Sequence, residues 1–120
     1  KKYYPSKEII KYIKRKKNKI SLYNNPIMAV KGADVIFSDK VISMNDKVNK
    51  KAKKKILKPF QVNKKLMSKA NSDAIFMHCL PVGRGEEVTD EVIDGKQSVV
   101  WRQALNRVHA QKSIIKWCLD

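Results

Sequence analysis

The sequence is poor in the residues from which several common chemistries are built. Its 120 residues include two cysteines, two histidines, four glycines and four prolines. Cys79 and Cys118 form no CxxC, and His78 and His109 stand far apart, so no zinc-ligand spacing can be assembled. No metal and no cofactor are expected. Two thiols without a secretory pattern suit a reducing compartment, which predicts a cytoplasmic protein. No apolar run approaches the roughly 18–20 residues of a membrane helix, so a soluble chain with no membrane partner is expected. The chain opens on Lys1-Lys2 with no signal-peptide pattern and no initiator Met, which leads us to expect a piece of a longer reading frame. A 42% hydrophobic content with so little glycine and proline excludes collagen-like and low-complexity classes and suits a globular α/β protein.

Arginine is scarce too, and that scarcity qualifies the most conspicuous feature, a formal charge of +16. Such a charge invites a nucleic-acid reading, because basic residues that neutralise phosphates give sequence-independent affinity. Of the 27 basic residues, however, 23 are lysines, whereas arginine is the residue suited to bidentate contacts. Residues 1–69 carry a net charge of +17 and residues 70–120 a net charge of −1. The runs Lys14-Arg15-Lys16-Lys17 and Lys53-Lys54-Lys55 fall on expected solvent faces of helices. No aromatic residues alternate with them to stack bases. Nucleic acid is therefore not the expected partner.

Helical and strand-like segments alternate along the chain. Ile9, Ile10 and Ile13 share one face of a short helix that ends among lysines. Ile20, Leu22 and Tyr23 read as a strand, Pro26 starts a short helix and Gly32 ends it. Asp34–Phe37 form a second strand. A lysine-rich helix near 47–57 closes at Pro59, and a shorter one near 63–70 has Asn63 as its N-cap. Ala74–Met77 are a third strand, bounded and apolar. Thr89 caps a turn through Ile93, Ser98–Trp101 give a fourth strand, and a final helix spans about 103–118 with Ala104, Val108, Ile115 and Leu119 on one flank. Trp101 and Trp117 are expected in the core, and His109 is expected to pack within its helix. The fold class is α/β, a partial doubly wound parallel sheet of about four strands flanked by helices. Ligands of such sheets bind beyond the carboxyl ends of the strands, which selects the loops at 38–46, 78–87 and 101–107.

Those loops carry the chemistry. His78-Cys79-Leu80-Pro81, followed by Arg84-Gly85-Glu86-Glu87-Val88-Thr89-Asp90-Glu91-Val92-Ile93-Asp94-Gly95, places an imidazole, a thiol and a guanidinium directly after a buried strand. This text closely resembles the C-terminal domain of ornithine carbamoyltransferases. Ala29–Val35 leading into Ser38-Asp39 and Ser43-Met44 resembles that family's ornithine loop, and Asn106-Arg107 with His109–Lys112 resembles its last active-site helix. The resemblance covers roughly residues 17–118.

The resemblance implies a set of roles. Asp39 receives the amino group of L-ornithine, while Ser43 and Met44 hold its amino-acid end. Cys79, the catalytic residue, and Leu80 lie where carbamoyl group and amine meet. Cys79, Leu80 and Arg107 fall at carbamoyl-phosphate-binding positions, His78 either joins them at the carbamoyl oxygen or orients the site from behind, and Leu80-Pro81 is expected to be cis. The chemistry agrees: the attacking amine must be neutral and oriented by acceptors, and a fixed guanidinium stabilises charge developing on carbonyl and phosphate oxygens.

Some positions depart from the family pattern. Val41 replaces a frequent Trp, Asn45 a frequent Gly and Gly83 a His, while Arg102, Gln103 and Leu105 occupy usually acidic places. No Ser-Thr-Arg-Thr phosphate loop or His-Pro-x-Gln segment appears. Residues 1–120 are therefore expected to be an incomplete C-terminal ornithine-binding domain, with the N-terminal carbamoyl-phosphate domain absent and the isolated chain inactive. The resemblance further implies citrulline formation in arginine metabolism, or its reverse in the arginine deiminase pathway, by a homotrimer of the full-length chain. The alternatives are a degenerate non-catalytic remnant and a lysine-rich nucleic-acid-binding module. The last is tested by DNA binding titrated with salt: all binding should vanish by physiological ionic strength, and survival there would establish a specific site.

Overall fold

The computed structural model describes residues 3–16, 19–42 and 49–120. The first helix, α1 (Lys7–Arg15), begins where the Ser6 side chain accepts from the Ile9 N–H, and ends among Lys14 and Arg15 as the favourable end of the helix dipole requires. Asn25 caps α2 (Pro26–Val30), in which Pro26 takes the first turn where its missing N–H costs nothing. Gly32 follows with φ +70°, a left-handed conformation that glycine adopts without a Cβ penalty. Strand β1 (Val35–Ser38) comes next.

The crossover back to the sheet holds α3 (Lys50–Leu57), a 3-10 turn (Lys58–Phe60) and α4 (Lys64–Met67). Asn49 and Asn63 cap the two helices, Asn63 as expected from sequence. Strand β2 (Ile75–His78) then pairs parallel to β1, with Val35 opposite Ile75 and Ser38 opposite His78. A short α5 (Asp90–Ile93) and a long α6 (Val100–Leu119) complete the chain. Thr89 stands at the expected N-cap of α5, but its side chain makes no capping bond; its backbone carbonyl accepts from Val92 and Ile93 instead.

The class is α/β with a parallel sheet flanked by helices, but the sheet has two strands among the described residues instead of about four. The run at 20–23 finds no strand to pair with there, and Ile20, Leu22 and Tyr23 stay exposed. The expected fourth strand shrinks to one parallel bridge between Ser98 and Phe76, because the backbone turns into α6 at Val100. A second bridge joins Val62 to Val88. Strand β2 is not buried evenly on both faces: Phe76 and His78 are buried, while Ile75 and Met77 are half-buried.

The core gathers Val30, Ile36, Val62, Leu66, Met67, Phe76, Val88, Val92, Ile93 and Val100. It therefore lies against one side of the sheet and reaches α6 only at its first residue. The rest of α6 projects from it, so the expected apolar flank is exposed at Val108, Ile115 and Leu119, and Trp101 and Trp117 are surface residues, 54% and 79% exposed. His109 is exposed as well. No helix among the described residues is long and apolar enough to cross a membrane, and none of their side chains cluster as a metal site.

Of the four glycines, Gly95 has the least room, since an added Cβ would lie 2.5 Å from the Glu91 carbonyl oxygen. Gly95→Ala is expected to cost about 1–3 kcal/mol through forced displacement of the α5 backbone. The shift in denaturant midpoint measures it, and an unchanged midpoint would contradict this packing.

Candidate active site

Parallel pairing in this register brings the carboxyl ends of β1 and β2 side by side, so Asp39 and Cys79, the first residues beyond them, become neighbours. The Cys79 thiol donates to Asp39 Oδ1 at 3.0 Å across 40 positions of sequence, and the Lys40 N–H donates to the same oxygen at 2.6 Å. Oδ2 accepts no hydrogen bond from the described residues. Both residues are exposed.

The electrostatics of the pair follow from that contact. Hydrogen bonds from the Cys79 thiol and then from the Lys40 backbone hold the Asp39 carboxyl below the usual carboxylate range. The reciprocal hydrogen bond to Asp39, together with burial and the carboxylate charge, pushes the Cys79 thiol up. Cys79 is thus a neutral thiol beside a carboxylate, suited to orienting a ligand and not to nucleophilic attack, for which a thiolate is needed.

His78 ends β2 with its side chain in the interior, 1% exposed. Its Nδ1 accepts from the Leu80 N–H at 2.9 Å, its Nε2 lies 3.5 Å from Glu87 Oε1, and its backbone N–H donates to Gln103 Oε1 at 3.2 Å. Burial lowers the His78 pKa, against the opposing charge of Glu87, so the ring is neutral at neutral pH. Leu80 adopts φ +53°, and the Leu80-Pro81 peptide is cis, as expected. Beyond it the loop is tied down at several points. Gln61 Nε2 donates to the Gly85 carbonyl at 2.6 Å and the Glu86 carbonyl at 3.0 Å. Arg84 makes a two-point bond to Asp94 and a further one to Asp90, so it anchors the loop to α5 and is not presented to a ligand.

The predicted residues are therefore distributed unequally. Asp39, Cys79 and Leu80 meet at the strand ends, whereas the His78 side chain lies behind them, off the surface that a ligand would touch. Arg107 is exposed on α6, one turn beyond Gln103 on the same helical face, and makes no hydrogen bond or ion pair among the described residues. Ser43, Met44 and Asn45 lie outside the described residues. Buried Glu87, buried Gln61 and the Gln103 contact were not anticipated. Glu86 and Glu87 are adjacent and look equivalent in sequence, yet Glu86 meets Lys54 at the surface and Glu87 turns inward. A cavity of about 290 Å³, lined by Val41, Lys54, Leu57, Lys58, Gly85 and Glu86, opens between the β1 loop and the 83–87 loop.

The family model for the aspartate/ornithine carbamoyltransferase Asp/Orn binding domain matches residues 1–118. The chain belongs to this carbamoyltransferase family. It is 56% identical over 115 residues to an ornithine carbamoyltransferase of Rhodopseudomonas palustris, covering 96% of this chain and 37% of that protein. Among solved structures it is similar to the ornithine carbamoyltransferase of Pyrococcus furiosus, with 47% identity, TM-score 0.82, and 95% of this chain and 38% of that one covered. The anabolic ornithine carbamoyltransferase of Campylobacter jejuni gives TM-score 0.86 at 35% identity, covering 98% of this chain and 40% of that one. The chain thus spans well under half the length of these relatives.

The Asp39–Cys79 contact makes a chemical prediction for this member of the family. Because the thiol pKa is raised, alkylation of Cys79 should be slow at pH 8 and should climb as pH rises toward that pKa. Asp39→Asn removes the carboxylate charge, lowers the thiol pKa and should speed alkylation at pH 8 by about three- to tenfold. Mass spectrometry separates Cys79 from Cys118. An unchanged rate would mean that the two side chains do not touch in solution.

Proposed function

We propose that these residues form the amine-binding half of an ornithine carbamoyltransferase, which transfers the carbamoyl group between carbamoyl phosphate and L-ornithine to give citrulline and phosphate. The observation that carries this reading is the meeting of Asp39 and the neutral Cys79 thiol at the paired strand ends. Asp39 offers a free carboxylate oxygen to the α-amino group, with Ser43 and Met44 holding the rest of the amino-acid end. The Cys79 sulfur and the backbone carbonyl of Leu80 orient the side-chain amine, which must be uncharged to attack the carbamoyl carbon. Arg107 supplies the fixed positive charge for the carbamoyl and phosphate oxygens, which a preorganised guanidinium stabilises without rearranging.

In this reading residues 1–120 are part of the C-terminal domain, and a carbamoyl-phosphate domain elsewhere in the complete chain contributes the remaining phosphate ligands. The complete enzyme is a cytoplasmic homotrimer of arginine metabolism and uses neither membrane nor nucleic acid. Names and identities of the relatives support the reading, since those matched at 45–56% identity are called ornithine carbamoyltransferases.

The test is calorimetry and citrulline formation with the complete chain that carries these residues. Asp39→Ala should weaken ornithine binding by about 10- to 100-fold, the range for one hydrogen bond to a charged group. Unchanged ornithine affinity would refute the role given to Asp39, and a native chain that forms no citrulline would refute the reaction.

A further inference from the structure

The interior behind the site contains a polar arrangement that the proposed reaction does not use directly. His78 and Glu87 are 1% and 2% exposed, and their facing atoms lie 3.5 Å apart. Neither His78 Nε2 nor Glu87 Oε2 has a hydrogen-bond partner. Burying two such groups is costly, and the cost is offset here only by the pairing between them and by the bonds of their other polar atoms. What His78 does is visible at its other nitrogen. A backbone N–H can only donate, so the 2.9 Å contact from Leu80 requires a bare Nδ1, and the neutral ring then carries its proton on Nε2, toward Glu87. Glu87 is itself held by the Gly83 N–H, which donates to Oε1, and a side chain at Gly83 would meet Oε2 at 2.8 Å.

This chain of contacts ends on an unusual backbone. Leu80, at φ +53°, occupies a left-handed conformation that is unfavourable for a residue with a side chain. Its N–H bond to His78 helps to hold it there. We infer that His78 and Glu87 are positioning residues for the proposed carbamoyl transfer: Glu87 fixes the imidazole, and the imidazole holds the Cys79–Leu80 peptide plane, from which the left-handed Leu80 backbone leads to its carbonyl. The inference rests on the reading of Leu80 as an amine-orienting residue. It assigns His78 the place behind the site and not the contact with the carbamoyl oxygen, the two that the resemblance leaves open.

Asparagine and leucine at position 78 separate the two assignments, because asparagine Oδ1 can occupy the place of Nδ1 while leucine offers no acceptor. In the complete chain, His78→Leu should lower kcat by about 100-fold, the scale of a misplacement near 1 Å, and Glu87→Met by about tenfold. KM for carbamoyl phosphate should stay within about threefold of native in both. His78→Asn should recover kcat to within about tenfold of native. An asparagine variant no better than leucine, or a KM for carbamoyl phosphate that rises with each loss, would overturn the inference. A second arm reads the native chain labelled with 15N-histidine, where His78 should show a protonated Nε2 and a bare Nδ1 at neutral pH. A proton on Nδ1 would overturn the inference whatever the variants do, including variants that fail to fold. If the native chain makes no citrulline, the proposed reaction fails, and the labelled spectrum still decides the His78 contact.

Discussion

The register of β1 against β2 is the constraint on which the rest depends. Ser38 lies opposite His78, so the next residue of each strand emerges at the same level and the same edge of the sheet. Side chains alternate along a strand, so a slip by one residue would turn buried Ile36 or Phe76 toward solvent. Burial of those two side chains, each worth about 1.5–3 kcal/mol, therefore selects the pairing that sets the Asp39–Cys79 distance. Packing in the interior and chemistry at the rim are two readings of one alignment.

Most local features were legible in the sequence because they have local causes. Asn63 announces a helix by its short polar side chain, Pro26 and Gly32 bracket α2, and the strands fall within one residue of their expected ends. Position places Asp39 and Cys79 in strand-end loops, but it is the family resemblance that singles them out. The misses have non-local causes. Residues 20–23 have strand composition, but a strand exists only when a neighbour supplies its hydrogen bonds. Ser98–Trp101 form one bridge before helix geometry prevails. Trp101 and Trp117 look like core residues by type, and only the divergence of α6 from the sheet leaves them exposed. Glu87 has no local mark that distinguishes it from Glu86, because the direction of each depends on Gly83 and His78 closing over it.

The polar interior and the charged exterior answer to different demands. His78, Glu87 and Gln61 are buried where the 80–87 loop must keep one shape, and each bonds to or faces a group within that loop. The lysines of α1 and α3 lie on helix surfaces, and one of them, Lys54, reaches Glu86 at the edge of that loop. The net positive charge therefore says little about the site, which depends on a handful of dipoles in the nearly neutral half and on one carboxylate, Asp39, contributed by the basic half.

The crossover between β1 and β2 is a long detour with a fixed departure and a fixed arrival. Asp39 and Cys79 meet because both ends of that detour are clamped by the sheet; α3 and α4, along the path between them, make no part of the thiol–carboxylate bond itself. Evolution can therefore rewrite the lysine-rich stretch, or lengthen it at its turns, with far greater freedom than it has at either strand. Two halves of one chemical site can stay in step while the text that separates them drifts.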